Sequence, residues 1–428
     1  MISALSNIDQ DQLKKVSTKM LAITRCVFLQ KNDAQEMREF NSNHFSWWYS
    51  SKFDKYSFDL SIIVCKLLGL AWGRDYEIVN KTIEDSLYES AQNRHLFYTD
   101  DIFLKQKKTL FDCKAVEDAT KFGYYLAVGL IIKMKESLLD WCVLYTAPRI
   151  SGESFSIASE NLHIINRYDK TKWDSLLNKG FRVDFIDPES MNYINGEPSK
   201  LSRYNYDYIF VCEEKGTLQG SNFTASVKLR MLFSVVTAIS EEHPRIRCME
   251  EPHSLSLQLA HSSNSSHSIT TRVIGKLYPY FGEQLIITQQ RVQKVKLWYE
   301  QLRKLSKEEQ DKISKCAHFI NKGMMSSEIE AFIHFFVSLD ALFGKQGEVE
   351  KSIKIGVSKL PKEGGWDKKI KALFKLRSDL VHGGSRFIEE WDGYLNYKCE
   401  HKSEPRQDVE SLAYLALAKW PSIALSLK

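Results

Sequence analysis

The chain has 428 residues, which is more than one ordinary domain and predicts about two or three. With 43% hydrophobic and 26% charged residues, it has the composition of a folded globular protein, which excludes a largely disordered chain. The net charge of +5 permits a polyanionic partner, but no dense Lys/Arg tract marks a protein that coats a nucleic-acid duplex.

The N-terminus has no basic stretch followed by an apolar stretch, which argues against secretion and favours a cytoplasmic protein. The most apolar run, Tyr124 to Met134, is about half as long as the roughly 20 residues needed to cross a bilayer. We therefore expect no contact with a membrane. The eight cysteines include no C-x2-C pair, so the sequence predicts neither a zinc ribbon nor a disulfide framework, and we expect no metal or other cofactor.

Apolar residues at helical spacing dominate the first 150 residues, for instance over 58–70 and 116–144, and predict helices there. The pattern changes between about 150 and 284. The runs 181–185 and 206–211 are short, aromatic and β-branched, which is typical of strands. We expect this middle region to be mixed.

From about Gly282 the pattern is helical again, with predicted helices near 284–303, 307–322, 326–344, 348–360, 366–382 and 407–426. The sequence thus predicts a mainly helical protein. An α+β region would occupy residues 1–284, with a candidate internal break near 150, and a helical domain would occupy 285–428.

The predicted helix that ends at Gly383 and Gly384 carries a charge on its apolar face. At about 100° per residue, leucines lie on one side of Arg377 and Phe374 and Val381 lie on the other, so that the guanidinium falls in the middle of the apolar arc. Burying a charge costs several kcal/mol unless it is paired, so Arg377 is expected to form an ion pair or to line a site.

His382 lies in the last turn of the same helix, where the helix dipole favours an imidazolium by roughly 0.3–1 kcal/mol. An arginine and a histidine suffice for RNA cleavage by the substrate's own 2′-hydroxyl, because histidine transfers protons and arginine binds phosphate oxygens. The R-x4-H spacing by itself is a weak signal. The pairs Arg38/His44 and Arg247/His253 also satisfy R-x(4–6)-H, but neither has a helical context with a glycine exit.

The segment Leu376 to Gly384, preceded by the predicted helix Phe336 to Gly344, resembles the HEPN superfamily, in particular its ApeA-like branch associated with bacterial anti-phage defence. The resemblance covers roughly the last 120–140 residues. It implies an up-and-down helical bundle that pairs as a homodimer and brings two such motifs into one cleft. RNA would be cut there without metal or cofactor, by a toxin or an effector of abortive infection.

The resemblance also implies supporting residues. A polar residue commonly follows the arginine, and Ser378 takes that place here. An acidic residue on the earlier helix often accompanies the motif, and Asp340 is the main candidate, ahead of Glu348 and Glu350. Pairing of Asp340 with Arg377 would satisfy two buried charges at once. The alternative for Asp340 is a solvent-exposed acid at a helix end.

Two alternatives to a HEPN ribonuclease remain open. In the first, the C-terminal domain is a catalytically inactive module for interaction or dimerisation. In the second, Asp184 or Asp187 joins Glu213 and Lys215 in a metal-dependent nuclease, because Glu-x-Lys on a strand places both side chains on one face. For the N-terminal region we expect a sensing, regulatory or substrate-selecting role, with a phage-derived trigger or a regulatory partner.

Overall fold

The computed structural model describes residues 9–28, 37–42, 45–92, 109–114, 118–147, 150–166, 168–181, 193–194, 197–198, 208–240, 254–261, 269–274, 284–361, 365–382, 387 and 390–427. The protein is mainly helical, with strands in its N-terminal two thirds. It divides into two compact units, Met1–Trp141 with Lys215–Phe223 and Cys142–Glu214 with Thr224–Lys428.

The first unit is built mainly of helices α1 (Gln10–Thr24), α2 (Lys52–Leu68), α3 (Trp72–Gln92), α4 (Leu110–Lys114) and α5 (Ala119–Glu136). Strands β1 (Val27–Phe28), β2 (Met37–Ser42) and β3 (Phe45–Ser50) form a sheet in the order β1-β3-β2. Fully buried side chains at helical spacing, such as Val16 and Met20 on α1, form a single core with α2, α3 and α5. Helix α2 stops at Gly69, whose φ of 67° suits a residue without a Cβ.

The strands that follow in the chain are β4 (Leu139–Ala147), β5 (Ile150–Gly152), β6 (Phe155–Ile157), β7 (Leu162–Asn166), β8 (Tyr193–Ile194), β9 (Glu197–Pro198), β10 (Tyr208–Gly216), β11 (Ser254–Ala260), β12 (Ile269–Ile274) and β13 (Leu285–Ile287). Six of them form a sheet in the order β12-β11-β4-β10-β7-β6, while β13 pairs with β5 in parallel and β8 pairs with β9. Helices α6 (Lys170–Asn178) and α7 (Leu218–Ile239) lie between these strands in the chain.

Both faces of the central strand β10 are buried over Tyr208–Cys212. Ile165 and Ile209 are cross-strand partners on one face, where Leu176 of α6 joins their core. On the other face Phe210 packs against Phe233 of α7, with ring centroids 4.6 Å apart. Successive residues of a strand point to opposite faces, so an almost continuous apolar run is needed here.

The C-terminal helices are α8 (Gln289–Arg303), α9 (Lys307–Met324), α10 (Glu328–Phe343), α11 (Val349–Ser358), α12 (Trp366–Val381), α13 (Asp392–His401) and α14 (Pro405–Ser426). The apolar helix α10 lies at their centre and packs against α9, α11 and α14. Its Phe335 meets Tyr414 of α14 edge to face, with centroids 5.7 Å apart, and both side chains are buried.

Three expectations about the architecture need correction or qualification. The predicted helix over 116–144 is wrong beyond Glu136, because residues 139–147 form β4; an apolar run buried on both faces has no period that separates strand from helix. The helix expected over 284–303 begins only at Gln289, because residues 285–287 form β13. Helix α13 was not predicted.

No single helix in the described ranges is long and apolar enough to span a membrane. The bent pair of α2 with Trp72–Glu89, whose two parts meet at 113°, passes that test of length and composition only as a pair.

A buried tryptophan supplies a hydrogen bond that the longest C-terminal helix lacks. Pro421 lies inside α14 and has no amide N–H to donate to the carbonyl of Leu417, four residues earlier. The indole Nε1 of Trp298 on α8 donates to that carbonyl instead, over 2.8 Å. Because Pro421 cannot donate to it, this carbonyl accepts a hydrogen bond from outside the helix, and that bond joins α14 to α8.

We expect Trp298→Phe to destabilise the protein by about 1–3 kcal/mol beyond its packing loss, because the Leu417 carbonyl is left buried and unpaired. In a Pro421→Ala background residue 421 regains its amide, so Trp298→Phe should cost less. Urea unfolding of the double-mutant cycle measures this coupling, and strictly additive costs would contradict the proposed exchange of donors.

Candidate active site at the end of helix α12

Helix α12 ends where the sequence predicted. Its last residue is Val381, and the amide of His382 closes the final turn by donating to the Ser378 carbonyl over 3.1 Å. His382 is therefore the C-cap residue and its side chain is exposed. Gly383 and Gly384, the predicted exit, lie outside the described residues.

Burial along α12 falls towards its C-terminus. Ile370, Leu373 and Leu376 are buried, the residues from Arg377 to Leu380 are half-buried, and Val381 is 59% exposed. The angular prediction for Arg377 agrees with this pattern, because it lies on the side of the buried residues. Its expected burial was wrong, since the last turn is less covered than the rest of the helix. Arg377 is thus partly accessible to a ligand.

The Arg377 guanidinium is held by an aromatic contact. Its Cζ lies 6.0 Å from the ring centroid of Phe374, and Phe374 meets Phe336 of α10 edge to face at 5.6 Å. A cation over an aromatic face gains about 0.5–1 kcal/mol at an exposed site. This contact orients the arginine and leaves its N–H groups free for an anion, because no carboxylate in the described part of the chain pairs with it.

The expected partner of Arg377 is not in place. Asp340 forms no ion pair with Arg377 among the described residues; it lies in the last turn of α10, with its carboxylate against the backbone of Gly344. Of the other acidic candidates, Glu348 pairs with Lys351 and Glu350 pairs with Lys354, both on the exposed side of α11. The helical periodicity predicted which side Asp340 and Arg377 occupy, but not their separation.

Arg377 and His382 point in different directions. Five residues at about 100° each place their side chains about 140° apart around α12. Ser378 is half-buried and lies about 40° from His382, on the same side. One copy of α12 therefore does not direct Arg377 and His382 at a single point.

A buried carboxylate that the sequence analysis missed holds α12 in place. Asp408, in the first turn of α14, accepts hydrogen bonds from Lys369 of α12 over 2.9 Å, from the Tyr397 hydroxyl of α13 over 2.9 Å and from Ser403. Burial, together with the bond to Asp408, raises the pKa of Tyr397 far above its usual value, so the phenol remains a donor. An acidic residue in a first turn is common enough that no sequence signal singled Asp408 out.

The alternative nuclease site is engaged in other contacts. The Oε1 atom of Glu213 accepts from His163 Nε2 and Lys179 Nζ, each over 2.6 Å, while His163 Nδ1 lies 2.9 Å from the Ser156 hydroxyl. Burial would raise the pKa of Glu213, but its two hydrogen bonds outweigh burial and lower it. Asp184 and Asp187 lie outside the described residues. Among the described residues, no three His, Cys, Asp or Glu side chains lie close enough together to hold a metal ion.

Comparison with known proteins gave no relative. No family model matches the chain, and neither the curated proteins nor the solved structures provide a significant match.

Removal of the Asp408 carboxylate should loosen α12. We expect Asp408→Ala to cost about 3 kcal/mol, because Lys369, whose side chain is only 19% exposed, loses its counter-charge. Asp367→Ala, which removes an exposed acid from the first turn of the same helix, should cost no more than about 1 kcal/mol, the contribution of its interaction with the helix dipole. Urea unfolding of both variants tests this, and equal losses would show that the network does not hold the helix.

Proposed function

We propose that the chain is a cytoplasmic, metal-independent endoribonuclease whose catalytic residues are Arg377 and His382. The observation that carries the proposal is the end of α12, where an exposed histidine caps the helix and an arginine that pairs with no carboxylate of the described residues lies in the turn before it. A helical domain of HEPN type is part of this proposal. It rests on the sequence resemblance and on the seven C-terminal helices of the described chain.

Each residue has a chemical role in this proposal. The His382 imidazole is accessible and transfers a proton to or from the reacting oxygens. The Arg377 guanidinium binds the phosphate oxygens and stabilises the charge that grows in the transition state. The attacking group is the 2′-hydroxyl of the RNA. The O2′–P bond forms as the P–O5′ bond breaks, leaving a 2′,3′-cyclic phosphate and a 5′-hydroxyl. DNA is spared because it lacks the nucleophile.

The directions of the two side chains favour a site shared by two copies. A two-fold axis beside α12 would bring His382 of one copy towards Arg377 of the other and supply both a proton acceptor and a proton donor. Exposed apolar side chains lie close to the motif in the sequence, with Val381 59%, Phe387 53% and Leu395 42% exposed. Such residues are suited to an interface between subunits.

The region outside the C-terminal helices is proposed to sense a trigger or restrain the nuclease, in a defence or toxin setting. The second candidate function is an inactive dimerisation module with the same fold, for which the exposed apolar residues near α12 are equally suited. The Glu213 alternative has less support, because that carboxylate already carries two cationic partners when His163 is protonated.

Cleavage should depend on His382 and not on a metal. We expect the full chain to cut single-stranded RNA in EDTA and to leave 2′,3′-cyclic phosphate ends. We expect His382→Ala to reduce the rate by about 10²–10⁴-fold, the usual contribution of a general acid or base. Glu213→Gln is the matched control and should retain activity. Mass spectrometry of the product ends gives the readout.

Loss of activity in EDTA, or loss in Glu213→Gln but not in His382→Ala, would favour the metal-dependent alternative. A wild-type chain that cuts no RNA with or without a trigger, while remaining a dimer, would favour the inactive module.

The shared site predicts complementation between inactive chains. Arg377→Ala and His382→Ala should each be inactive alone, whereas a mixture should recover part of the activity, because a mixed dimer retains one arginine and one histidine in its cleft. Sedimentation of the wild-type chain should show a dimer at the concentrations that are active. Full activity of a sedimenting monomer would contradict a composite site.

A further inference from the structure

Three exposed lysines form a row along α12. Lys368, Lys371 and Lys375, here called the lysine stripe, are spaced by three and four residues. At about 100° per residue they fall, together with Ser378 and His382, within an arc of about 80°. That arc faces away from the buried side of the helix, so the stripe is an exposed basic track that ends at His382.

The stripe differs from lysines of two neighbouring helices that pair with acids one turn away. On α9, Lys312 pairs with Glu308 over 2.8 Å, and on α11, Lys354 pairs with Glu350 over 2.5 Å. Within the described ranges, by contrast, no carboxylate forms an ion pair with any lysine of the stripe. The acids that flank the arc, Asp367 and Asp379, form no ion pair with the stripe in this part of the structure, and Asp379 is directed towards Gly393 of α13.

The stripe includes like charges at i,i+3 and i,i+4, each of which destabilises a helix by roughly 0.2–0.5 kcal/mol. Asp367 and Asp379, four residues from Lys371 and Lys375 respectively, offset that repulsion. The lysines of the stripe are nevertheless exposed, carry no ion pair within the described ranges and lead to His382. Such a row of cations is suited to a ligand with regularly spaced negative charges.

We propose that the lysine stripe binds consecutive phosphates of a single-stranded RNA and leads the backbone to His382. From Lys368 to His382 the helix rises about 21 Å, at about 1.5 Å per residue. This length matches about six nucleotides stacked at about 3.4 Å each. A duplex fits less well, because its A-form backbone holds each 2′-hydroxyl out of line with the adjacent phosphate. Cleavage at the end of the stripe rests on the proposed function, whereas backbone binding does not.

The test uses the full chain with His382→Ala, so that the RNA stays intact during binding. Fluorescence anisotropy of a short unstructured 5′-labelled RNA gives the affinity at several salt concentrations. The variant Lys368→Gln/Lys371→Gln/Lys375→Gln removes the stripe. The matched control, Lys296→Gln/Lys304→Gln/Lys315→Gln, removes the same charge from exposed lysines without ion pairs in and after α8 and on α9. Circular dichroism melts verify that both triple variants fold.

Each phosphate contact contributes about 0.7 to the slope of log affinity against log salt for a single strand, so loss of three contacts should lower the slope by about 2. Between about 0.05 and 0.2 M salt, the affinity of the parent should therefore fall about 20-fold more than that of the stripe variant. The control variant should keep the slope of the parent. An unchanged slope in the stripe variant, or an equal loss in the control, would overturn the proposal.

Cleavage by the chain with His382 intact is measured separately, which distinguishes this inference from the proposed function. RNA binding that depends on the stripe, without cleavage, supports the role of the stripe and contradicts the proposed nuclease activity. Cleavage by a chain whose salt slope does not change in the stripe variant supports the nuclease activity and contradicts the role of the stripe. Duplex RNA bound through the stripe as tightly as single-stranded RNA would overturn the assignment to single strands.

Discussion

The carboxylate of Asp408 determines where the candidate catalytic helix lies. Burying a carboxylate costs several kcal/mol unless donors surround it, and here Lys369, Tyr397 and Ser403 come from three separate segments. All three donors must be in place at once. Helix α12 is thereby fixed near its N-terminus against α13 and α14, while its last turn is less covered. Rigid attachment at one end and accessibility at the other is the arrangement that a site on this helix requires.

Most helices of the C-terminal region could be predicted from apolar spacing, although the one expected from 284 begins only after β13. Helix α12 was expected over 366–382 and occupies Trp366–Val381. Helix α13 could not be predicted, because it buries only Tyr394 and Tyr397 and the rest of its surface carries no apolar stripe. Strand β4 was not predicted for the opposite reason, since Cys142 to Tyr145 are all buried and the sequence there has no apolar periodicity. Apolar periodicity identifies helices and strands with one buried face, and it misses those with almost no buried surface or with two buried faces.

The candidate site shows a second limit of sequence reasoning. The helical wheel indicated correctly that Arg377 needs an explanation, because it lies on the side of the buried leucines. It could not show that the covering helices leave the last turn of α12 half-exposed. It also gave no distances, so Asp340 was assigned to Arg377 from the family resemblance and its charge, whereas the contact that the structure gives for Arg377 is with Phe374. The Asp408 network joins residues up to 39 positions apart, which no local pattern encodes.

The proline in α14 has a mechanical consequence. Helix α8 follows β13, which pairs with β5, and β5 leads into β6, the edge strand of the six-stranded sheet. Moving α8 away from α14 together with that strand would break the hydrogen bond that replaces the missing helix bond at Leu417, at a cost of about 1–3 kcal/mol. Helix α14 also bears Asp408, which accepts from Lys369 of α12. A displacement of β13 and α8 must therefore either break the bond from Trp298 or move α14, and with it the residue that anchors α12.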